Sequence, residues 1–318
     1  MIVENFCVTE HTSFTIECIG EKEEWVYDIE VEDTHNFFAN DILVHNSNYL
    51  SLDLVVKKLF DGLDEKEVTK KLDEFCTNVL EEVISQAFEE FRAATNCKQQ
   101  KLHMKRECIA NPGIWTAKKR YILNVWSKEN VFYDTPELKI QGIEVVKSST
   151  PRAAKKYMKE AIKLIVAGDE KKFQEFIEAK RNDFRTLPFE EIASPRGVTD
   201  IDKWYSPSTM FKPRTPIHVR GSIVYNKLIT EVENHGDALQ PIVNGDKIKF
   251  SYLICPNPVL QNVISVPGDL PSVLGLDDYL DKDEQFSKTV LSPVKKITDV
   301  IGWHLEPVAS IEDLFCYD

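Results

Sequence analysis

The residues best suited by type and spacing to do chemistry close the run from Val26 to Ser47, VYDIEVEDTHNFFANDILVHN followed by serine. Asn46 carries an amide whose nitrogen can attack the residue's own main-chain carbonyl carbon. A succinimide forms, the bond to Ser47 breaks, and the leaving nitrogen takes up a proton. His45 is placed to hydrogen-bond the carbonyl oxygen and share that proton, and His35, eleven residues before Asn46, can raise the nucleophilicity of the amide. Ser47 Oγ can first accept an acyl group from another chain segment, so that cyclisation at Asn46 frees a branched ester. Taken singly, each residue has a plainer reading: a hairpin ending by chance in His-Asn-Ser, a solvated Asp28, core phenylalanines at Phe37 and Phe38.

The elements that must position these groups are short strands. Val26, Ile29 and Val31 form one strand-like run, and Phe37, Phe38, Ile42 and Val44 form a second, with polar Glu32-Asp33-Thr34 between them.

This stretch resembles the C-terminal end of an intein. The family's Val-Tyr-Asp-Ile-x-Val, His-Asn-Phe and Val-His-Asn-Ser signatures stand here as Val26 to Val31, His35 to Phe37 and Val44 to Ser47. The resemblance implies that Asp28 assists the acyl shifts, His35 and His45 serve succinimide formation, Asn46 cyclises, and Ser47 is the first residue of the C-extein. Splicing of this kind needs no cofactor.

Charge divides the chain at the same place. The formal net charge of −13 over 318 residues is concentrated in residues 1–46, which hold eleven acids and one base, Lys22, for a sum of −10. The remaining residues carry −3, and within them residues 98–160 have fourteen Lys and Arg against six Asp and Glu. Seven cysteines without a CxxC pair favour a reducing compartment over a disulfide framework or a zinc site. No apolar run approaches a membrane span, and the first residues lack the pattern of a signal peptide, so a cytoplasmic protein with no membrane partner is expected.

A complete splicing domain of the intein family needs an N-terminal Cys or Ser nucleophile and a Thr-x-x-His block far upstream of the terminal Asn. Residues 1–46 contain neither. The expectation is a split intein whose N-terminal piece lies on another polypeptide, basic in charge to complement this acidic fragment.

After Ser47, Asp53 to Phe60 opens a helix, and Glu65 to Ala94 is a long helical region with an apolar stripe from Leu72 to Phe91 that reads as core. Lys101 to Ile109 alternates as a strand. Asn111 to Trp115 reads as a loop, and Thr116 to Trp126 as a second strand containing Lys118-Lys119-Arg120-Tyr121. Cations at strand spacing beside an aromatic hydroxyl suit a phosphate backbone and a groove edge, although an isolated basic tetrapeptide is also a common solvated patch.

The stretches TAKKRYILNVWS, LKIQGIEVVKSSTPRAAKKYMKEAI, TPIHVRGSIVYN and NGDKIKF are similar, in order, to the palm end and thumb of a family B replicative DNA polymerase of tailed bacteriophages. That resemblance implies primer-template contacts for Lys118, Lys119, Arg120 and Tyr121, with Lys139 in the following motif and Arg220 as further DNA-binding candidates. It also implies deoxynucleoside triphosphate substrates and Mg2+ as cofactor. The family's metal-binding motif is Asp-Thr-Asp-Ser, and Ser47-Asn48-Tyr49-Leu50-Ser51 aligns immediately after its aspartates, with His45-Asn46 in their place. The main metal ligands are therefore expected on the second chain, to be joined at Ser47. Glu107 looks like an additional palm carboxylate and is a candidate metal ligand, equally readable as a partner of Lys105 or Arg106.

Pro151 to Ala167 and Glu170 to Phe184 read as helices broken at Gly168-Asp169, Ser194 to Lys212 as loop, and His218 to Val232 as a further helix. Lys247 to Tyr252 reads as a strand, Asp277 to Glu284 as solvated. In the tail, Leu314 and Phe315 resemble the apolar plug that seats such polymerases on a sliding clamp; packing back on the thumb is the alternative. The fold class expected is α+β: an all-β half of the intein (Hint) fold over 1–46, a palm portion of antiparallel sheet and helices over 47–142, a mainly helical thumb over 143–310, and a clamp-binding tail over 311–318. The function expected is the C-terminal portion of a DNA-directed DNA polymerase, active only after trans-splicing in an infected bacterial host. The rival readings are a clamp-tethered DNA-binding subunit without catalysis and a domain that cleaves itself without ligation.

Overall fold

The computed structural model describes residues 49–231 and 239–307, together with the backbone of 36–39 and 42–45. Asp28, His35, Asn46, Ser47, Leu314 and Phe315 lie outside the described residues. The described chain is mixed α and β, with antiparallel strand pairs and helices, and divides into two compact units. No helix among the described residues is long and apolar enough to cross a membrane.

The first unit takes the described residues as far as Ile109 together with Val125–Pro136. It opens with β1 (Asn36–Ala39) and β2 (Ile42–His45), paired antiparallel with Asn36 opposite His45 and Ala39 opposite Ile42. The run read as one strand from Phe37 to Val44 is thus a hairpin. Asn40 and Asp41, residue types that suit tight connections, separate its two arms.

Helix α1 (Asp53–Leu59) is followed by α2 (Glu65–Phe75), whose first turn is capped by Asp64 accepting the Glu67 N–H at 2.8 Å. A π-helical turn, Cys76–Leu80, joins α2 to α3 (Glu81–Ala94). The apolar stripe read as core is core only at its beginning. Leu72 and Cys76 are buried and Phe75, Leu80, Ile84 and Phe88 half-buried, but Val79, Val83 and Phe91 are 44%, 57% and 42% exposed, and α3 has no fully buried residue. Periodicity tells which residues share a face, not what lies against it.

Arg106 is the polar centre of this unit. Its side chain, 8% exposed, pairs with Asp73 and donates to Asn130 Oδ1 at 2.8 Å and Ser127 Oγ at 3.4 Å, while its backbone N–H donates to Glu81 Oε1 at 3.2 Å. Burial pushes the neighbouring Cys76 thiol upward against the pull of Arg106, with Asp73 and Glu81 adding to the rise.

Strands β3 (Cys108–Ala117), β4 (Arg120–Lys128) and β5 (Val131–Gln141) form a three-stranded sheet in sequence order, and the division between the units falls across all three. The expected strand over 101–109 starts only at Cys108, and the expected loop over Asn111 to Trp115 is strand. The expected strand from Thr116 is interrupted by a turn at Lys118-Lys119. Glu129 and Asn130, which link β4 to β5, both have positive φ, 48° and 67°. Paired positive φ values at a two-residue hairpin link match the right-handed twist of the strands on either side.

The second unit holds Ala110–Asn124 and the chain from Glu137 onward. Helix α4 (Arg152–Ala167) follows Pro151 and stops at Gly168, φ 78°; α5 (Glu170–Thr186) is capped by Asp169 accepting the Lys172 N–H at 3.0 Å. The two helices pack together, and Ala154, Met158, Ala161, Ile162 and Ile165 on α4 and Phe173, Ile177 and Phe184 on α5 are buried in one core.

The stretch read as loop from Ser194 to Lys212 carries elements of its own. After α6 (Phe189–Ile192) come β6 (Ser194–Gly197), α7 (Ile201–Trp204) and a small hairpin of β7 (Tyr205–Ser206) and β8 (Met210–Phe211). Next are α8 (Ile217–Glu231), β9 (Lys247–Tyr252) and β10 (Val263–Val266). The chain then runs through α9 (Lys282–Phe286), a π-helical turn at Ser287–Leu291, and α10 (Ser292–Ile301). The second unit is thus not helical throughout: β10, β9 and β6 form an antiparallel sheet in which Phe250 pairs with Ser265 on one side and Ser194 on the other.

Helix α8 lies directly on β10. Gly221 allows it: a Cβ there would stand 2.4 Å from Ser265 Oγ and 2.7 Å from Ser265 N. Ser265 Oγ donates to the His218 carbonyl at 2.7 Å. Gln285, fully buried, donates to the Ile192 carbonyl at 2.7 Å and to Ser194 Oγ at 3.1 Å, and accepts the Tyr252 N–H at 3.4 Å. A buried amide with these bonds made ties α9 to both β6 and β9.

Candidate nucleic-acid interface

The basic run sits where β3 turns into β4. Lys118 and Lys119 form the turn, Lys119 at φ 65°, and Arg120 and Tyr121 begin β4. Lys118 is exposed and Lys119 half-buried. The Lys139 ammonium, on β5, lies 5.9 Å from the centroid of the Tyr121 ring, within reach of a cation–π attraction. Lys118, Lys119, Arg120, Tyr121 and Lys139 are thereby gathered at one end of a single sheet.

Arg120 differs from its neighbours. Its Nη2 donates to both oxygens of Glu144, at 2.6 and 2.8 Å, and the two side chains are only 25% and 22% exposed. Burial works to raise the Glu144 pKa, but its own backbone N–H, Arg120 and Lys147 together hold the carboxyl below its ordinary value. The Glu144 carbonyl accepts Thr150 Oγ1 at 2.6 Å, and Lys147 Nζ stands 3.4 Å from the carboxylate. A phosphate would therefore compete with Glu144 for Arg120, and the geometry makes Arg120 a group that positions the turn.

Gly142 completes the arrangement. Its φ is +68°, and an added Cβ would lie 2.2 Å from the Lys119 carbonyl oxygen and 3.1 Å from Arg120 Cγ. The segment after β5 thus presses directly on the basic turn. Gly142 and Glu144 both stand in the LKIQGIE stretch, but residue types do not reveal that they reach back to the turn.

Arg220 has different surroundings. On α8, its guanidinium lies 4.7 Å from the Phe211 ring centroid and donates to Asn262 Oδ1 at 3.0 Å. No described bond links it to the basic turn. His218, two residues before, has its pKa lowered by burial and by the charge of Arg196.

Glu107 precedes β3 and is exposed; its backbone carbonyl accepts the Glu129 N–H at 2.8 Å. Among the described residues no group of three or more His, Cys, Asp or Glu could hold a metal ion. The described part of the chain therefore does not by itself fit a two-magnesium centre, which requires several converging carboxylates.

What this sheet end offers is cationic side chains and an aromatic ring on a rigid turn, suited to a phosphodiester backbone and carrying no base-reading fork. Comparison with known proteins finds relatives of the chain among the phage DNA-directed DNA polymerases. The chain is 34% identical over 284 residues to the DNA-directed DNA polymerase of Escherichia phage RB69 and 29% identical over 286 residues to that of Enterobacteria phage T4. No protein-family model matches. Over 85% of its length the chain is homologous to phage family B DNA polymerases, and it spans 31% of the length of these two curated relatives.

Proposed function

We propose that residues 47–310 are the palm end and thumb of a phage replicative DNA polymerase, and that residues 1–46 are the C-terminal piece of a split intein. Splicing joins Ser47 to a second chain carrying the intein's N-terminal piece and the metal-binding aspartates. The observation that carries the polymerase reading is the match over 85% of this chain to polymerases of which it spans 31%. The 15% outside that match is about the size of the acidic segment 1–46, which ends in the Val44-His45-Asn46-Ser47 signature. The β1–β2 pairing adds a backbone frame for His45, directly before Asn46.

In this reading the upstream acyl group passes to Ser47 Oγ as an ester. The Asn46 amide nitrogen then attacks its own carbonyl carbon, releasing Ser47 with a free amine, and an oxygen-to-nitrogen shift restores a peptide bond. Asp28, His35 and His45 assist these proton transfers. A covalent joint fixes the relative placement of the aspartates and this palm portion, which positioning of reacting groups rewards. Mg2+, if held by the second chain's aspartates, would supply charge stabilisation for nucleotidyl transfer, and Glu107 would be the carboxylate that this chain adds. Lys118, Lys119, Tyr121 and Lys139 hold the primer-template backbone, with Arg120 and Arg220 supporting, and Leu314 and Phe315 dock on a sliding clamp. Deoxynucleoside triphosphates are the substrates, and the host cytoplasm is the place of action.

The test is to mix the 318-residue chain with candidate second chains that end in an aspartate-containing palm strand fused to an intein N-terminal piece, and to follow masses and primer extension. A ligated product starting this chain's contribution at Ser47, with extension appearing only after ligation, is expected. Replacing Asn46 and Ser47 by alanine should abolish it. Extension by this chain alone sinks the proposal; release of a Ser47-started product without ligation leaves a self-cleaving domain, and DNA binding without either leaves a non-catalytic subunit. For the interface, Lys118→Ala should make the dependence of log K on log salt shallower by about 1.

A further inference from the structure

Two stretches of the first unit leave large apolar side chains bare. One is α1, which begins six residues after Ser47 and whose Leu54 and Leu59 are 55% and 67% exposed. The other is α3, fourteen residues long and without a fully buried residue, on which Val83 and Phe91 are exposed while Ile84 and Phe88 between them are half-buried. The same helical column is covered one turn earlier: Val68, Leu72 and Cys76, on α2 and the π turn, are 8–9% exposed. Isolated exposed apolar residues are ordinary, but an amphipathic helix whose apolar face is at most half-buried leaves room for a further partner.

We propose that this apolar surface docks the polymerase segment of the second chain, through a complementary apolar face, before the peptide bond at Ser47 is made. The inference rests on the polymerase reading above. Its grounds are the partly open α3 face, the exposed Leu54 and Leu59 on α1, which begins six positions from the junction, and the relatives, which carry the remaining 69% of their length in the same polypeptide as the part matched here. Docking of this kind raises the effective concentration of the two ends to be joined and orients the palm pieces before they become covalent. A highly charged splicing fragment would then supply encounter, and the apolar face the correct seating.

The experiment uses the full chain with Asn46→Ala and Ser47→Ala, which removes ligation and leaves association to be measured alone. The probe is the part of the RB69 polymerase outside the matched 31%. Binding is read by sedimentation, and amide exchange over residues 79–91 is read in the same mixture. Binding with slowed exchange on α3 is expected, and Val83→Glu with Phe91→Glu should weaken it at least tenfold. Both positions are exposed, so the urea midpoint of the variant should match the parent; Leu59→Asp, on α1, is the second variant should it not. Absence of binding, equal binding by the glutamate variant, or unchanged exchange on α3 overturns the inference. So does protection that grows with this chain's own concentration, which would assign the face to a second copy, or protection in the isolated chain at every concentration, which would assign it to residues 1–48. Ligation failing while face-dependent association persists sinks the splicing reading only; ligation proceeding equally fast in the glutamate variant sinks this inference only.

Discussion

Replacing Gly142 by alanine tests whether the basic turn is held from behind. The added Cβ would stand 2.2 Å from the Lys119 carbonyl oxygen, whereas a carbon and a carbonyl oxygen ordinarily approach to about 3.3–3.6 Å. Either the turn or the segment after β5 must therefore move by roughly 1 Å. The backbone offers no relief, because φ at Gly142 is +68° and a residue with a Cβ there costs about 1–2 kcal/mol. Forcing atoms into an occupied site costs a further ~1–3 kcal/mol. The expected loss is roughly 2–5 kcal/mol in urea unfolding. Because Lys118 and Lys119 are carried on the displaced turn, the salt dependence of DNA binding should also become shallower by about 1, although no cation has been removed. Gly142→Asn separates the two causes: asparagine tolerates positive φ but brings the same Cβ, so it should recover only about 1 kcal/mol. A Gly142→Ala protein within about 0.5 kcal/mol of the parent, with an unchanged salt dependence, refutes the reasoning. Full recovery in Gly142→Asn would show that conformation and not the close approach is what the glycine serves.

Further outcomes are expected elsewhere. Gly221→Ala should destabilise by about 1–3 kcal/mol in urea unfolding despite alanine's better helix propensity, because α8 must lift from β10, and Ser265→Ala should restore part of the loss. For His218, burial lowers the folded-state pKa below the 6.5 of the free side chain. The unfolded chain therefore takes up the proton more readily, and this contribution to stability is complete above about pH 6.5 and lost as pH falls through that value toward the folded pKa. The difference in unfolding free energy between the parent and His218→Gln should shrink over that window, and a difference constant with pH would contradict it. Arg106→Ala strands Asp73 in a partly buried site and should cost about 3 kcal/mol, whereas Arg106→Met combined with Asp73→Leu should recover most of it in thermal melts.

Much of the local structure is legible in the sequence because local rules decide it. Pro151, the Gly168-Asp169 break and the three-four spacing between them mark α4 and α5 within two residues of their observed ends. Lys247 to Tyr252 alternates and is a strand. Failures occur where a distant partner decides. Asn111 to Trp115 contains Pro and Gly and reads as loop, yet it is strand within β3, where the Asn111 carbonyl accepts Asn124 Nδ2 from β4 at 2.9 Å and a Cβ on Gly113 would lie 3.1 Å from Leu123 Cδ2. Ser194 looks like loop and is pinned in β6 by Gln285, more than ninety residues later. At the candidate interface the cations are evident as residue types, but Arg120's engagement by Glu144 is not, since twenty-four residues separate them. The proposed splicing residues are a different case: His45, Asn46 and Ser47 are adjacent in the sequence, so their chemistry can be proposed although Asp28 and Asn46 lie outside the described residues.

Gln285 has a bearing on synthesis as well as on packing. Its amide closes bonds to Ile192 and Ser194, which leave the ribosome more than ninety residues earlier, while Phe286 stacks edge-on against Phe184 at 5.2 Å between centroids. Helices α4 and α5 can pair as soon as they emerge, but β6 lacks the Gln285 amide until about ninety further residues have been made. A nascent chain arrested anywhere before residue 285 should thus be open to proteases between α6 and β6, and maturation of the second unit should be a late, nearly all-at-once event.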